Sequence, residues 1–167
     1  MFSGEWRVDN VKSTSQQALL RAMGKPSWQI NLVDRASERF VLTHTTDIVD
    51  GKRIHIFHKD VLIYLDSVIL AMLSVLIPVN EVKYAHTFRA DGLKQHHAED
   101  AKGFGECDSL ATWDAKTKSL TIRWFLANGI LKAVHDLTSE NEFRMHNEFT
   151  NARGETFRAT KYYRRVT

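Results

Sequence analysis

The sequence predicts a mainly β protein, an antiparallel meander that closes into a barrel or folds as a sandwich. Apolar and polar side chains alternate in many short segments along the 167 residues. Turn clusters such as Asp91-Gly92 and Asn128-Gly129 separate these segments. A helical pattern interrupts them once, near the start. Together these three observations indicate a sheet of consecutive, antiparallel strands.

The length and composition favour one soluble domain, which we expect to span residues 1–167. A net charge of +3 is too small to indicate a nucleic-acid partner. The sequence has one cysteine, Cys107, which excludes an internal disulfide and fits a reducing compartment. The opening residues MFSGEWRVDN lack the pattern of a signal peptide. We therefore expect a cytoplasmic location.

The first quarter of the chain contains the helical pattern. A strand is predicted at EWRVDNVK, followed by a helix in STSQQALLRAMG that Ser13 or Ser15 could cap. Leu19 and Met23 share one face of this helix. Gly24 is expected to end it, and Pro26 to prevent it from resuming.

Alternation then predicts strands over most of the remaining chain. The first two are SWQINLV and ERFVLTHT, and an Asp50-Gly51 turn leads to KRIHIFHK. Later strands are predicted in six segments: EVKYAHTF, ECDSLATW, SLTIRWFL, ILKAVHDL, EFRMHNEF and ETFRATKYYRRV.

Residues 61–79, VLIYLDSVILAMLSVLIPV, form an apolar run unlike the rest of the chain. The run is barely long enough to span a bilayer, and Asp66 within it would cost about 3 kcal/mol on insertion. Two soluble interpretations remain open: a helix from about Val61 to Leu76 capped by Asp60, or two buried strands that extend the sheet or form a dimer contact. We prefer the helix, and treat 60–80 as an apolar insertion at one end of the sheet.

Several motifs resemble those of the intracellular fatty-acid-binding proteins of the lipocalin or calycin superfamily. The opening FSGEW is similar to the Phe-x-Gly-x-Trp of their first strand, and QQALLRAMG to their first helix. DSLATWD and FRATKYYRRV are similar to a later strand and to the closing strand. The resemblance covers about 1–45 and 81–167.

This resemblance implies an up-and-down antiparallel β-barrel of about ten strands around a lipid cavity, with one or two helices. The strands predicted from the sequence also number ten if KRIHIFHK is excluded or lies at an edge of the sheet. Two departures from the family are expected. Its second lid helix is missing after Gly24, and about thirty residues around the apolar run have no counterpart.

The resemblance also implies where a ligand would bind. In the family a ligand carboxylate meets an Arg and a Tyr on the last strand and an Arg on an earlier one. The matching residues here are Lys161, Tyr163 and His135. Alternation puts Ala159, Lys161 and Tyr163 on one face of the last strand. The alternatives are a solvated basic strand end for the first pair and an ordinary wall histidine for His135.

A portal through which the ligand enters is expected near the helical elements. Its candidate residues are Leu19 and Met23 in the helix and Leu73 and Leu76 in the apolar run. If this run meets a membrane surface transiently, serine at Leu73 and Leu76 should speed lipid transfer to vesicles.

No motif indicates a metal, cofactor or catalytic site. His55 and His58 would point to opposite faces of a strand, as would His96 and His97, and no thiolate supplements them. No nucleophile elbow, P-loop or dinucleotide turn is present.

The sequence thus favours a non-enzymatic carrier, a monomer or homodimer, that binds a fatty acid or similar hydrophobic ligand. The alternatives are an interaction protein with a filled barrel and an apolar interface at 61–79, and, third, a small-molecule enzyme or haem binder on the same barrel.

Overall fold

The computed structural model describes residues 2–64, 81–97 and 106–166. Two short helices and ten strands make up this part of the chain. The helices are α1 (Gln17–Ala22) and α2 (Ser27–Leu32). The strands are β1 (Gly4–Val8), β2 (Ser37–Val49), β3 (Lys52–Tyr64), β4 (Glu81–Ala90), β5 (Lys94–His97), β6 (Cys107–Asp114), β7 (Ser119–Leu126), β8 (Gly129–Ser139), β9 (Glu142–Asn151) and β10 (Thr156–Arg165).

All ten strands form one antiparallel sheet in the order β4-β3-β2-β1-β10-β9-β8-β7-β6-β5. The sheet curls until side chains near its two edges meet. The His86 and His97 rings, on β4 and β5, are 6.4 Å apart, and Phe88 lies 5.6 Å from Trp124 on β7. This arrangement confirms the predicted up-and-down barrel. The expectation for KRIHIFHK was wrong, because β3 lies inside the sheet between β2 and β4.

The hairpin between β2 and β3 forms where the sequence predicts it. Asp50 and Gly51 have φ angles of 51° and 73°, the left-handed conformation that a tight two-residue hairpin turn requires. The turn fixes the register that pairs Phe40 with Val61 and Leu42 with Lys59.

Side chains on the concave face of the sheet form the core. Large aromatic side chains from six strands are almost completely inaccessible to water, at 0–1% exposure. These are Trp6, Phe40, Phe57, Phe88, Phe143, Phe149 and Tyr163. Because aromatic side chains are large, each of them buries a large apolar area in this core.

The two helices follow β1 and contact each other. The strand predicted at SWQINLV is wrong, because residues 27–32 form α2 directly after Pro26. The expectation that a second helix is missing after Gly24 is wrong for the same reason. Proline has no backbone N–H, but the first residues of a helix have no partner within the helix for this group. Proline is therefore favourable at a helix start. Neither helix in the described part of the chain is long and apolar enough to cross a membrane.

The start of the apolar run also differs from the prediction. Val61 to Tyr64 continue β3, paired with both β2 and β4, so a helix beginning at Val61 is wrong for these residues. β-branched and aromatic side chains suit a strand that has neighbours on both sides. Residues 65–80 lie outside the described residues.

Candidate functional site

The last strand presents the predicted pair to the barrel interior. Ala159 and Tyr163 are 2% and 0% exposed, and the side chain of Lys161 between them is 15% exposed. The predicted sharing of one face is therefore confirmed, and the solvated basic strand end is excluded.

Both members of this pair bind one carboxylate, that of Glu38 on β2. Lys161 Nζ donates to Glu38 Oε2 at 2.5 Å, and the Tyr163 hydroxyl donates to Glu38 Oε1 at 2.9 Å. Glu38 itself is 4% exposed. Each carboxylate oxygen thus has its own buried donor, so the chain supplies the anion that the pair was predicted to take from a ligand.

A second ammonium group, that of Lys59 on β3, lies in the same region. Lys59 is 4% exposed, and its Nζ lies 4.1 Å from the centre of the Phe40 ring and 5.9 Å from that of Tyr163. The electron-rich ring faces attract the ammonium group, although they do not neutralise it.

The charges in this cluster shift each other's titration. Burial alone would raise the pKa of Glu38. The charge of Lys161, then that of Lys59, and the hydrogen bonds from Lys161 and Tyr163 instead lower this pKa to about 2. For Lys59, burial lowers the pKa to about 8, against the attraction of Glu38 and with the repulsion of Lys161.

Two tyrosines remain neutral beside this carboxylate. Burial, and next the negative charge of Glu38, raise the pKa of Tyr163 well above its usual value. The same two causes raise the pKa of Tyr84 on β4. Near neutral pH, the cluster of Glu38, Lys59, Lys161, Tyr84 and Tyr163 therefore holds two positive charges and one negative charge.

His135, the third predicted ligand residue, lies on the same concave face but outside this cluster. It is 5% exposed and its ring lies 5.8 Å from the Phe143 ring. In the sheet register, Met145 lies between His135 and Lys161. Two strand spacings, about 10 Å, therefore separate His135 from Lys161 along the sheet.

A cavity of about 240 Å³ leads from the helical end of the barrel to Lys161. The loop before α1 and the segment after α2 provide most of its lining: Asn10, Ser13, Thr14, Ser15, Gln16, Val33 and Asp34. The cavity is smaller than the roughly 300–1,000 Å³ of usual ligand pockets, and all its lining residues except Val33 have polar or charged side chains, so it suits a head group better than an acyl chain.

Two of the four expected portal residues lie in the described part of the chain. Leu19 and Met23 are 3% and 7% exposed and belong to the core of the barrel. The side-chain amide of Asn128, in the turn between β7 and β8, donates to the Met23 carbonyl at 3.0 Å. This bond fastens α1 to the turn. Leu73 and Leu76 lie outside the described residues.

The adjacent histidines His96 and His97 have different partners. His96 contacts Asp108 and Glu106, whereas His97 contacts Ser109 on the other face of β5. In the described ranges, no three potential ligands come together.

Sequence reasoning missed Glu38 and Lys59, the two most buried charges of the cluster. A signal exists for Glu38, because the alternation in ERFVLTHT puts it on the same strand face as the apolar Phe40 and Leu42. For Lys59 the signal is weaker, since the apolar Ile54 and Ile56 of KRIHIFHK alternate on the opposite face of β3.

The chain is similar to known proteins in its structure. No model of a known protein family matches the sequence, and neither does any curated protein. Solved structures do match. Fatty-acid-binding protein 1 of Echinococcus granulosus is 12% identical with a TM-score of 0.63, over 99% of this chain and 98% of that one.

Two further structures are similar over 99% of this chain. The fluorescent protein UnaG is 16% identical with a TM-score of 0.59, and 97% of it is covered. As-p18, described as an extracellular fatty acid binding protein, is 11% identical with a TM-score of 0.56 and 96% coverage. The β-barrel with two short helices described here therefore has the fold seen in the solved fatty-acid-binding proteins.

Proposed function

We propose that the protein is a non-enzymatic carrier that binds a fatty acid or similar amphiphile inside its barrel. The observation that carries this proposal is the buried cluster, because its two ammonium groups and one carboxylate lie on a wall formed mainly by apolar side chains. Lys161 and Tyr163, with His135 farther along the wall, belong to the surface that would face the polar end of the ligand. Leu19 and Met23 would border its entrance.

The apolar tail would supply most of the affinity. Each buried methylene contributes about 0.8 kcal/mol, so a sixteen-carbon chain gains about 12 kcal/mol before ordering costs. A hydrogen bond to a charged head group adds about 1.5–3 kcal/mol. The tail thus decides whether a ligand binds, and the polar wall decides which class of ligand is preferred.

The test is binding of defined lipids to the purified, delipidated chain, followed by native mass spectrometry and by fluorescence of the buried tryptophans. We expect a one-to-one complex with hexadecanoate and a weaker one with hexadecanol. The carrier function would be overturned if the chain bound neither lipid at concentrations well above the dissociation constants usual for such complexes.

One observation favours a second candidate, an interaction protein with a filled barrel. Seven large aromatic side chains on the concave face are nearly inaccessible to water, so none of them lines a water-filled space. In this case the same spectra would show a lipid-free dimer. A carrier needs these rings to move apart when the tail enters, which the tryptophan fluorescence would report.

The compartment and the membrane contact are also proposals. We propose the cytoplasm, where the buried thiol of Cys107, the single cysteine of the sequence, would stay reduced. The fold alone does not set the compartment, since As-p18 is described as extracellular. Transient contact with a membrane during lipid transfer would fit a carrier of this kind.

A further inference from the structure

The inference concerns the buried ammonium group of Lys59 and depends on the carrier function proposed above. In the described ranges, no ion pair to Lys59 Nζ forms within 4.0 Å, whereas Lys161 is paired with Glu38. Lys59 is 4% exposed, its Nζ lies over the Phe40 ring, and the nearby carboxylate of Glu38 is paired with Lys161. A buried charge without an ion pair of its own is costly unless an opposite charge joins it. Lys59 therefore lacks the partner that Lys161 has.

Both oxygens of the Glu38 carboxylate already accept a hydrogen bond within the barrel. They accept these hydrogen bonds from Lys161 and from Tyr163, both on β10 and more than 120 positions later in the chain. A ligand carboxylate that aimed at Lys161 and Tyr163 would have to displace Glu38 and leave it buried without a donor. Pairing with Lys59 avoids this loss, because it adds a partner and removes none.

The position of Lys59 suits such a partner. In the register Lys59 lies between Leu42 on β2 and His86 on β4. Two positions along β3, on the same face, Val61 lies between Phe40 and Tyr84. The charged group thus lies within an apolar and aromatic surface, where an acyl chain could pack while its head meets the ammonium group.

We propose that Lys59, rather than Lys161 and Tyr163, receives the anionic head of the ligand, and that Glu38 is an internal counter-anion which neutralises Lys161. The cluster carries two positive charges and one negative charge, so it accepts one more negative charge. The preferred ligand is therefore a long-chain amphiphile with a single negative charge at its head, such as a fatty-acid carboxylate.

The experiment compares Lys59→Met with two other variants in the delipidated full chain. Methionine is unbranched and flexible like lysine, is one atom shorter, and removes the charge. The matched control is Lys132→Met on β8, which removes a lysine from the convex face, and the third variant is Tyr163→Phe. The probes are hexadecanoate and hexadecanol.

We expect Lys59→Met to weaken hexadecanoate binding by about tenfold or more and to leave hexadecanol within about twofold, whereas Lys132→Met changes neither. The loss with Lys59→Met should exceed that with Tyr163→Phe at least about threefold. The carboxyl carbon signal of 13C-labelled hexadecanoate should also move in Lys59→Met. Unchanged binding and signal in Lys59→Met, with a large loss in Tyr163→Phe, would overturn the assignment and leave the carrier function intact.

A double variant tests the charge count independently. Glu38→Gln with Lys59→Met again leaves one unmatched positive charge, now on Lys161, so hexadecanoate binding should recover to within about threefold of the wild type. No recovery in a folded double variant would overturn the role of Glu38 as counter-anion. Failure of the wild type to bind either probe would overturn the carrier function itself.

Discussion

The Glu38 carboxylate accepts a 2.9 Å hydrogen bond from the hydroxyl of Tyr163, a residue 125 positions later in the chain. The two side chains meet because only the short strand β1 lies between β2 and β10 in the sheet, so the second strand and the last are two strand spacings apart. The barrel thus encloses a polar contact within its apolar wall. Its stability must depend on this contact being complete, since each partner would be costly to bury alone.

Removal of the Glu38 charge should destabilise the ligand-free protein strongly. In Glu38→Gln the ammonium groups of Lys161 and Lys59 stay buried without a counter-charge. Breaking a buried pair in this way costs about 3–5 kcal/mol. Urea unfolding of the delipidated protein should show a loss of at least about 3 kcal/mol.

A surface ion pair provides the matched control for this loss. Arg144 donates to Asp136 at 2.5 and 3.1 Å, but their side chains are 42% and 20% exposed. Asp136→Asn should therefore cost less than about 1 kcal/mol. Equal losses in the two variants would contradict the buried character of the Glu38 cluster.

The depressed pKa of Lys59 predicts how stability depends on pH. The folded pKa of about 8 lies below the ordinary 10.5, so the unfolded chain binds more protons between these two values. Stability should therefore rise with pH through this window. Below pH 8 the full penalty applies, on the order of 3 kcal/mol for the difference between 10.5 and about 8.

Comparison with Lys59→Met isolates this effect from the groups that face Lys59. Glu38 titrates near pH 2, and burial keeps Tyr84 and Tyr163 protonated beyond pH 10. Lys59→Met should be more stable than the wild type at pH 7, and this advantage should shrink from pH 8 to 10. A difference between the two proteins that does not change with pH would contradict the prediction.

The strand order could be predicted from the sequence to a large extent, because alternation and turn residues are local signals. The Asp50-Gly51 turn and the inward face of β10 are examples. α2 was missed because Trp28, Ile30 and Leu32 alternate over only six residues, too short a stretch to distinguish a strand from a helix. Its packing against α1 is a tertiary contact that no local pattern reveals.

The polar cluster shows a different limit of sequence analysis. Lys161 and Tyr163 were identified through a family resemblance, whereas Glu38 and Lys59 were not. A buried lysine contradicts hydropathy, so alternation argues against placing it inside. Its position becomes apparent only when the register brings Phe40 and Tyr163 beside it.

The bond from Asn128 to the Met23 carbonyl predicts that this turn holds the end of α1. In Asn128→Ala the carbonyl loses a donor worth about 1 kcal/mol, so local opening should become about fivefold more frequent. Hydrogen exchange at the amides of Leu20 to Met23 should accelerate accordingly. Asn141→Ala, at the turn between β8 and β9, is the control and should leave these amides unchanged. If the amides of α1 do not respond to Asn128→Ala, the turn does not hold the helix.

Two glycines with nearly the same backbone angle should differ in their tolerance of alanine. Gly4 and Gly129 have φ angles of 155° and 157°, so each alanine would carry similar backbone strain. At Gly4 the added Cβ meets the end of the Arg165 side chain, which lies over the Trp6 ring and can turn away. At Gly129 it meets the Thr150 carbonyl oxygen, and it would lie 2.7 Å from Phe149 Cζ.

Neither obstacle at Gly129 can move easily, because Thr150 pairs within the sheet and Phe149 is fully buried. Gly129→Ala combines strain and overpacking, so it should cost about 3 kcal/mol in urea unfolding, whereas Gly4→Ala should cost about 1 kcal/mol. The larger loss should also appear as faster hydrogen exchange at the start of β8. Equal losses would mean that backbone angle alone sets the cost, and that the close approach of β9 to Gly129 contributes nothing to the choice of glycine there.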